Sequence, residues 1–377
     1  DHTDLALLTD GLRAEREQGI TIDVAYRYFA TPVRSFVLAD TPGHVQYTRN
    51  MVTGASTADV AIVLVDARKG LLDQSRRHVA VAALLRVQHI VLAVNKMDLV
   101  DFSEEVFDEI LADFAEVAER LNTPHWTAVP ISALRGDNVV TRSHAMPWYA
   151  GAPLLRHLEE LALAPSSDEL GGRFPVQLVI RPRSVDHPDY RGYAGRVAAG
   201  TLRVGDAVRI FPSGHRSFVA GIDAYLGEAI EACAGRSVIV RLTDELDVSR
   251  GDVLVTGNRP PVVTRELTGT VCWLADEPLL PGSRFRLRHT TRDTKAVVQT
   301  IGNRFDVSTM RVEATDRLMA NAIGRVTIRT AEALAVDSYR ASRRTGAFLL
   351  IDEVSGGTVA AGMAEVPAWA DTQSSST

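Results

Sequence analysis

The sequence predicts a parallel α/β domain followed by two β-barrels, and three observations support this prediction. Between residues 35 and 162, short apolar runs alternate with helical patterns, which is typical of a doubly wound parallel sheet. From residue 173 onward the helical pattern nearly disappears, and short β-rich runs are separated by Gly, Pro and Asp, as in barrels. Residues 161–172 lie between the two regions and have the Pro, Ser and Gly content of a linker.

Four strands and three helices are predicted in the first domain. The strands cover residues 35–39, 60–65, 89–94 and 127–131. Their nearly continuous Val, Ile, Leu and Ala content indicates strands that are buried on both faces. The helices cover residues 46–54, 75–85 and 103–121. Ser103 is the expected N-cap of the last helix because Glu104 and Glu105 place negative charge in its first turn.

The predicted domain boundaries follow these changes in pattern. We expect the α/β domain to cover residues 1–165, and the pair Pro260 and Pro261 to separate the two barrels. The barrels are then expected at residues 173–259 and 262–364, each within the usual size of a domain. Residues 365–377 end in Ser and Thr and are expected to be a disordered tail.

The composition is that of an ordinary globular protein. The 377 residues are 46% hydrophobic and 23% charged, and the apolar runs are too short to cross a membrane. A net charge of −6 provides no general attraction to nucleic acid, so neither nucleic acid nor a membrane is an expected partner. The two cysteines show no metal-binding spacing, and such low usage suits the cytoplasm.

One loop with recognisable chemistry follows the first predicted parallel strand. It consists of Asp40, Thr41, Pro42, Gly43 and His44. An Asp at a strand end can hold Mg²⁺, and the N–H of the following Gly can approach a γ-phosphate without a side chain in the way. His44 is then placed to orient an attacking water. The alternative is an ordinary strand-to-helix turn in which Asp40 caps the helix.

A second loop follows the strand at residues 89–94. It consists of Asn95, Lys96, Met97 and Asp98. Asp98 can accept hydrogen bonds from the N1–H and the 2-amino group of guanine, and adenine has no donors at those positions. Asn95 can bind the base edge and tie neighbouring loops together, while the stem of Lys96 can cover the face of the base. A charged turn without a ligand is the alternative.

Two further segments complete the predicted nucleotide site. The strand ending at Ile131 is followed by Ser132, Ala133 and Leu134. The backbone and small side chains of this segment can support the guanine O6. Upstream, Thr21 lies in a ten-residue segment, residues 14–23, that is unlike an ordinary β-rich run. Its hydroxyl can join the Mg²⁺ shell when a γ-phosphate is present, which would make Thr21 part of a switch.

These motifs together resemble the GTPase domain of translation factors, and more closely the GTPase subunit of bacterial ATP sulfurylase, sulfate adenylyltransferase subunit 1. Several other segments are similar to that family. They are residues 11–29, 46–51, 66–70, 191–197, 247–252, 343–348 and 358–363. The resemblance covers most of the chain in collinear order. It implies a P-loop-type doubly wound GTPase domain followed by two elongation-factor-like β-barrels.

The resemblance also implies a function and a set of site residues. A separate catalytic subunit, sulfate adenylyltransferase subunit 2, makes adenylyl sulfate and pyrophosphate from ATP and sulfate, and GTP hydrolysis on this subunit drives the reaction. Thr21 and Asp40 would serve Mg²⁺, and Gly43 would contact the γ-phosphate, with Thr21 and His44 as the catalytic residues. The remaining residues would bind GTP or GDP: Thr41, Pro42, Asn95, Lys96, Met97, Asp98, Ser132, Ala133 and Leu134.

One part of the family pattern is absent from the sequence. The family carries a phosphate loop, Gly-x-x-x-x-Gly-Lys-Ser/Thr, on a strand that would precede Asp1. We therefore expect the natural protein to begin upstream, and we expect this chain alone to be inactive as a GTPase. Two alternatives stay open, an elongation-factor-like GTPase that binds aminoacyl-tRNA and a non-hydrolysing scaffold for the catalytic subunit.

Overall fold

The computed structural model describes residues 23–43, 48–123, 125–163, 170–182, 190–306, 309 and 311–366. The chain divides into two compact units. The first is Asp1–Ala164 with the short segment Asp306–Arg311, and the second is Pro165–Phe305 with Val312–Thr377. The break near residue 164 lies inside the predicted linker. The division of the second unit into two domains stays a prediction, although two separate barrels are found in it.

The first unit contains five strands and four helices among the described residues. In chain order they are β1 (Ala25–Ala30), β2 (Ser35–Asp40), α1 (Thr48–Thr57), β3 (Val60–Asp66), α2 (Asp73–Leu84), β4 (His89–Asn95), α3 (Glu104–Arg120), β5 (Trp126–Pro130) and α4 (Leu154–Glu160). A short 3₁₀ helix, Met97–Leu99, follows β4. The α/β class predicted from the sequence is therefore confirmed.

Three strands form the parallel sheet that supports the site. Their order is β3-β4-β5, and both pairs are parallel. Successive residues of β4 face opposite sides of the sheet. Ile90, Leu92 and Val94 join a core with α3, while Val91 and Ala93 join a second core that includes Leu154 and Leu158 of α4. Both faces of β4 are therefore covered, which explains its uninterrupted apolar sequence.

The strand predicted at residues 35–39 is present, but its partner is one that the sequence pattern did not reveal. β2 pairs antiparallel with β1 in a separate two-stranded sheet, from Ala25 opposite Asp40 to Ala30 opposite Ser35. A tight turn closes this hairpin, in which the N–H of Thr31 donates to the carbonyl of Arg34 at 2.9 Å. Val37 on β2 remains 60% exposed. The prediction of a strand at residues 35–39 is confirmed, but the expectation that it lies in the parallel sheet and is buried on both faces is wrong, because apolar content identifies a strand without identifying its partner.

Helix α3 begins as its sequence predicts. Ser103 is the N-cap, and its hydroxyl accepts a hydrogen bond from the N–H of Val106 at 3.3 Å. Glu104 and Glu105 lie in the first turn, where negative charge is favourable, and Arg120 lies in the last. Phe107, Ile110, Phe114, Val117 and Ala118 form its buried face, with the three-to-four-residue spacing of an amphipathic helix.

The second unit consists almost entirely of strands. The first barrel contains β6 (Arg173–Ile180), β7 (Gly192–Arg196), β8 (Thr201–Arg203), β9 (Ala207–Phe211), β10 (Arg216–Ala224), β11 (Gly227–Ala229), β12 (Glu231–Cys233), β13 (Ser237–Leu242) and β14 (Val253–Val255). The second contains β15 (Val262–Trp273), β16 (Arg284–His289), β17 (Arg292–Asp306), β18 (Arg311–Ala314), β19 (Ile323–Val336), the short helix α5 (Arg343–Gly346), β20 (Ala347–Ile351) and β21 (Thr358–Ala364).

Each barrel is a closed antiparallel ring of six strands. The first ring runs β10-β13-β7-β6-β14-β9 and closes by pairing β9 with β10. The second runs β16-β20-β21-β15-β19-β17 and closes by pairing β16 with β17. Closure removes the free edges that an open sheet would expose. Each barrel encloses its own apolar core, so the prediction of two β-barrels is confirmed.

Two reciprocal ion pairs connect the barrels. Arg173 of β6 is fully buried and binds Asp337 through two N–H groups, at 3.0 and 3.1 Å. In the opposite direction, Arg292 of β17 donates to Asp252 at 2.7 Å. Because breaking a buried pair leaves an uncompensated charge, loss of either partner of the Arg173 pair should cost about 3–5 kcal/mol of stability. The two barrels are thus joined by charge as well as by apolar contact.

Some of the sequence predictions fall outside the part of the chain that the structure describes. They concern Thr21, His44 and most of the predicted tail, residues 367–377. Within the described ranges, no helix is long and apolar enough to cross a membrane.

Candidate nucleotide-binding site

The candidate site lies where the three parallel strands end. In the β3–β4 register Asp66 lies opposite Asn95, and in the β4–β5 register Val94 lies opposite Pro130. The segments that follow β4 and β5, both predicted to contact the base, therefore begin side by side. The N–H of Met97 donates to the carbonyl of Ile131 at 3.2 Å and joins them directly. Carboxyl ends of parallel strands are the usual ligand-binding edge of such sheets.

Asn95 links the two base-side loops through one oxygen. Its Oδ1 accepts hydrogen bonds from the N–H of Lys96 at 2.7 Å and from the N–H of Ala133 at 3.0 Å. Lys96 has a φ of +66°, a left-handed conformation that is unfavourable for a residue with a side chain. The bond from Asn95 holds Lys96 in this conformation. The predicted role of Asn95 in tying neighbouring loops is thus matched by its contacts.

Asp98 is held by Ser132. The hydroxyl of Ser132 donates to Asp98 Oδ1 at 2.6 Å, and Ser132 itself is fully buried. The Asp98 side chain is only 5% exposed, and its Oδ2 lies 3.9 Å from Nε of Arg135. A carboxylate has about four acceptor positions, so one bond from Ser132 leaves capacity for two more donors. Asp98 is therefore fixed in orientation and still able to accept from a bound base.

The loop after β5 is a compact turn. The N–H of Gly136 donates to the carbonyl of Ser132 at 2.7 Å, and Gly136 has a φ of +82°, which favours glycine. Asn138 is fully buried and donates to the carbonyl of Pro130 at 3.0 Å. The backbone N–H of Ala133 donates to Asn95, while Leu134 is 70% exposed. Of the three predicted loop residues, Ser132 and Ala133 contact the Asn95 loop.

The loop that follows β2, predicted to contact Mg²⁺ and the γ-phosphate and called here the phosphate side, is held differently from the two base-side loops. Asp40 is the last residue of β2, and Thr41, Pro42 and Gly43 follow it. The carbonyl of Gly43 accepts hydrogen bonds from Gln74 and from Nε2 of His78, the latter at 2.9 Å. Both side chains belong to α2. A Cβ at residue 43 would lie 2.9 Å from the Gln74 amide nitrogen, so a larger residue there would require the end of the Gln74 side chain to move.

His78 is a largely buried group in this contact. Burial lowers the pKa of His78, and the hydrogen bond to Gly43 only partly opposes that effect. His78 is therefore neutral at pH 7 and must carry its proton on Nε2 to donate to the carbonyl. The predicted residues Thr21 and His44 lie outside the described residues, so Asp40 is the predicted Mg²⁺ ligand that the structure describes.

Several supporting residues were missed by the sequence predictions. They are Asp66, Arg68, Gln74, His78 and Asn138. Asp66 and Arg68 fell in a segment noted for its family resemblance, but no role followed from it. Gln74 and His78 occupy adjacent turns of one helix, and a position on the same helix face was the signal available. The contacts of Gln74 and His78 with Gly43 join segments more than 30 residues apart, which local patterns do not reveal.

The fold and the site together define a class of protein. A parallel α/β unit carries the paired Asn95 and Ser132 loops at its strand ends, and two closed barrels follow it. This is the architecture of the elongation-factor type of GTPase. Residues 1–166 match the elongation factor Tu GTP binding domain family, and residues 266–365 match the GTP-eEF1A C-terminal domain-like family.

Comparison with curated proteins narrows the class. The chain is 53% identical to the bifunctional enzyme CysN/CysC of Mycobacterium tuberculosis over 96% of its own length and 59% of that protein. It is 47% identical to the bifunctional enzyme NodQ of Rhizobium meliloti, covering 97% of this chain and 56% of that one. It is also 48% identical to sulfate adenylyltransferase subunit 1 of Tolumonas auensis, over 96% of this chain and 75% of that subunit.

The chain belongs to the family of sulfate adenylyltransferase subunit 1. The 48% identity over three quarters of the Tolumonas auensis subunit establishes this membership. The chain spans less than two thirds of the length of the bifunctional relatives from Mycobacterium tuberculosis and Rhizobium meliloti.

Proposed function

We propose that this chain is the GTPase subunit of a sulfate adenylyltransferase. It would couple GTP hydrolysis to the synthesis of adenylyl sulfate and pyrophosphate from ATP and sulfate by a separate catalytic subunit, in the cytoplasm, as a step of sulfate assimilation. The observation that carries the proposal is the base side of the site, where two hydrogen bonds cross between the loops: Ser132 donates to Asp98, and the N–H of Ala133 donates to Asn95. The relative named sulfate adenylyltransferase subunit 1 supports the sulfate part of the proposal.

The base side favours guanine over adenine. The Asp98 carboxylate would accept from the N1–H and the 2-amino group of guanine, while Ser132 keeps it in place. Adenine would leave the nearly buried carboxylate without these donors. A site built around such hydrogen bonds rejects the mismatched ligand by about 10⁴-fold or more. Lys96 and Met97 complete the loop, and Met97 is fully buried, so its role would be to anchor the turn.

The phosphate side would hold Mg²⁺ and the γ-phosphate. Asp40, at the end of β2, would serve the Mg²⁺ shell, and the N–H of Gly43 would approach the γ-phosphate. Thr21 and His44 would complete the metal shell and orient the attacking water. Mg²⁺ would neutralise the charge that develops on the transferred phosphoryl group. An upstream phosphate loop remains part of this proposal as a prediction.

A partner subunit is needed for the coupling. Relatives that are named subunit 1 point to a subunit 2, which would adenylylate sulfate. Hydrolysis can drive that reaction only if the GTP and GDP states of this chain contact the catalytic subunit differently. An elongation factor that delivers aminoacyl-tRNA is the less favoured alternative, because a relative 48% identical to this chain is named sulfate adenylyltransferase subunit 1.

The proposal is tested by a GTPase assay in which the full chain is combined with the catalytic subunit, ATP and sulfate. We expect GTP hydrolysis to rise when all three are present and to fall when sulfate is withheld. A matched reaction with ATP in place of GTP, without the catalytic subunit, controls for base specificity. No stimulation by the complete mixture contradicts the coupling. Titration calorimetry with GTP and GDP separately tests the scaffold alternative, which predicts no binding.

A further inference from the structure

The carboxylate of Asp66 binds two cationic side chains, Lys96 and Arg68, at the edge of the base-side loops. Asp66 is the last residue of β3 and lies opposite Asn95 of β4. Its Oδ2 accepts a hydrogen bond from Nζ of Lys96 at 3.0 Å. Arg68 donates from Nε to Oδ1 at 3.0 Å and from Nη2 to Oδ2 at 2.6 Å. The Asp66 side chain is 17% exposed, whereas those of Lys96 and Arg68 are nearly half exposed.

Lys96 is thereby held at both ends. Its backbone takes a left-handed conformation that the Asn95 side chain stabilises, and its ammonium is fixed on Asp66. A non-glycine residue keeps such a backbone only where the surroundings enforce it. The four-carbon stem of Lys96 must therefore span from the end of β4 to the end of β3. This is a defined path for a side chain that is otherwise among the most mobile.

We propose that Asp66 is a positioning residue for the nucleotide base. It holds the Lys96 stem in place to cover the face of a guanine that Asp98 binds by its edge. This inference rests on the proposed guanine-nucleotide function and adds a residue to that site. Asp66 would act through Lys96 and would not itself touch the nucleotide.

Arg68 supports this role by fixing the carboxylate. Its two side-chain N–H groups and its backbone N–H, at 3.1 Å from Oδ1, bind both oxygens of Asp66. The Arg68 contacts also hold the pKa of Asp66 well below its usual range, with Lys96 adding to the effect. Asp66 therefore stays ionised and oriented across the physiological range. Bidentate arginine contacts are the geometry that best provides both effects.

A purely local role for Asp66 is the competing explanation. The turn after β3 is stabilised by the N–H groups of Lys69 and Gly70, which donate to the Asp66 backbone carbonyl at 2.9 and 3.1 Å. These backbone bonds would survive the substitution Asp66→Asn, which removes the charge and keeps the shape. A local role thus predicts that Asp66→Asn leaves Lys96 unaffected, whereas a positioning role predicts that Lys96 is released.

The lysine content of the chain makes this test direct. The 377 residues include three lysines: Lys69, Lys96 and Lys295. We would acylate wild type and Asp66→Asn with a limiting amine-reactive ester and measure each lysine by mass spectrometry. Lys69 and Lys295 are exposed and act as internal references. Asp73→Asn, which changes an exposed carboxylate in the first turn of α2, is the matched control.

We expect Lys96 acylation in Asp66→Asn to rise about threefold or more, as for release from a partly exposed ion pair. Lys69, Lys295 and the Asp73→Asn control should not change. An unchanged Lys96 rate would overturn the proposal. So would a rise at all three lysines, because it would indicate a general loss of structure.

GDP binding by calorimetry then tests the positioning role itself. We expect Asp66→Asn to weaken GDP binding by about 3- to 10-fold and Lys96→Met to add little in the double variant, because both act through one contact. Released Lys96 with unchanged GDP affinity would overturn the positioning role. These titrations use the natural protein with its predicted upstream phosphate loop. Failure of that wild-type protein to bind GDP would instead count against the proposed function, and the acylation result would show separately whether the Asp66–Lys96 contact exists.

Discussion

The two halves of the candidate site are held by different means. On the base side, side chains bind across loops, as in Asn95 to Ala133, Ser132 to Asp98 and Lys96 to Asp66. On the phosphate side, Gln74 and His78 of α2 bind a backbone carbonyl, that of Gly43. The base-side loops are therefore fixed to each other by side chains. A loop held through its backbone by a remote helix can change conformation without losing its own side-chain contacts, which suits a switch.

The largest effect is expected from Asp98→Asn. The substitution puts an amide donor where the carboxylate accepts, so GDP affinity should fall by about 1,000-fold or more. Xanthosine diphosphate has a carbonyl in place of the 2-amino group and should bind the variant better than GDP. Calorimetric titration of both nucleotides against wild type and variant measures the change in nucleotide preference. An unchanged preference for GDP would contradict the assignment of Asp98.

Asn95→Ala tests whether the fixed character of the base side depends on the contacts between its loops. The substitution leaves the N–H groups of Lys96 and Ala133 without their shared acceptor. Binding of GDP and GTP should weaken together by about 10- to 100-fold, because the loss concerns the base and not the phosphates. Parallel titrations of the two nucleotides give the ratio of the GDP affinity to the GTP affinity. If the ratio changed while GDP binding stayed the same, Asn95 would belong to the phosphate side.

Gln74→Ala addresses the phosphate side. Loss of one of the donors to Gly43 should loosen the loop and weaken GTP binding by about 3- to 10-fold more than GDP binding. Discrimination between GDP and xanthosine diphosphate should stay as in wild type, because Asp98 and Ser132 are untouched. A change in base preference would show that the two halves of the site are coupled.

A smaller difference between the two sides of the site is expected in their loss of stability at acid pH. His78 has a folded pKa lowered below its ordinary 6.5, so the unfolded chain binds more protons as the pH falls below that value, and the native state loses stability there. Asp66 has a folded pKa lowered below 3.8, so its contribution is present above 3.8 and is lost only as the pH falls further. The phosphate side should therefore weaken first on acidification.

Thermal unfolding between pH 7.5 and 5 checks this order. His78→Gln should reduce the fall in unfolding temperature over this range, and Asp66→Asn should leave the fall unchanged. Other buried histidines, such as His289 in the second barrel, also have lowered pKa values and add a background fall that both variants share. Equal behaviour of the two variants would contradict the assignment.

Much of the fold was predictable because its signals are local. The strand at residues 60–65, the N-cap Ser103 and the loss of helical pattern after the linker each depend on neighbouring residues, and the structure confirms them. The β1–β2 hairpin was not predicted, because apolar content identifies a strand without identifying its partner. Barrel closure likewise depends on pairings such as β9 with β10 that join distant residues.

The sequence by itself predicted the kind of nucleotide that this protein binds and the kind of reaction that it performs. Recognition of a base edge requires particular side chains at fixed spacing, and Asn95 and Asp98 are three residues apart on one turn. Only the tertiary structure decided how those side chains are held. Ser132, Asp66, Gln74 and His78 act across 30 or more residues. Their roles depend on which strand ends and helices meet, and no local pattern encodes that meeting.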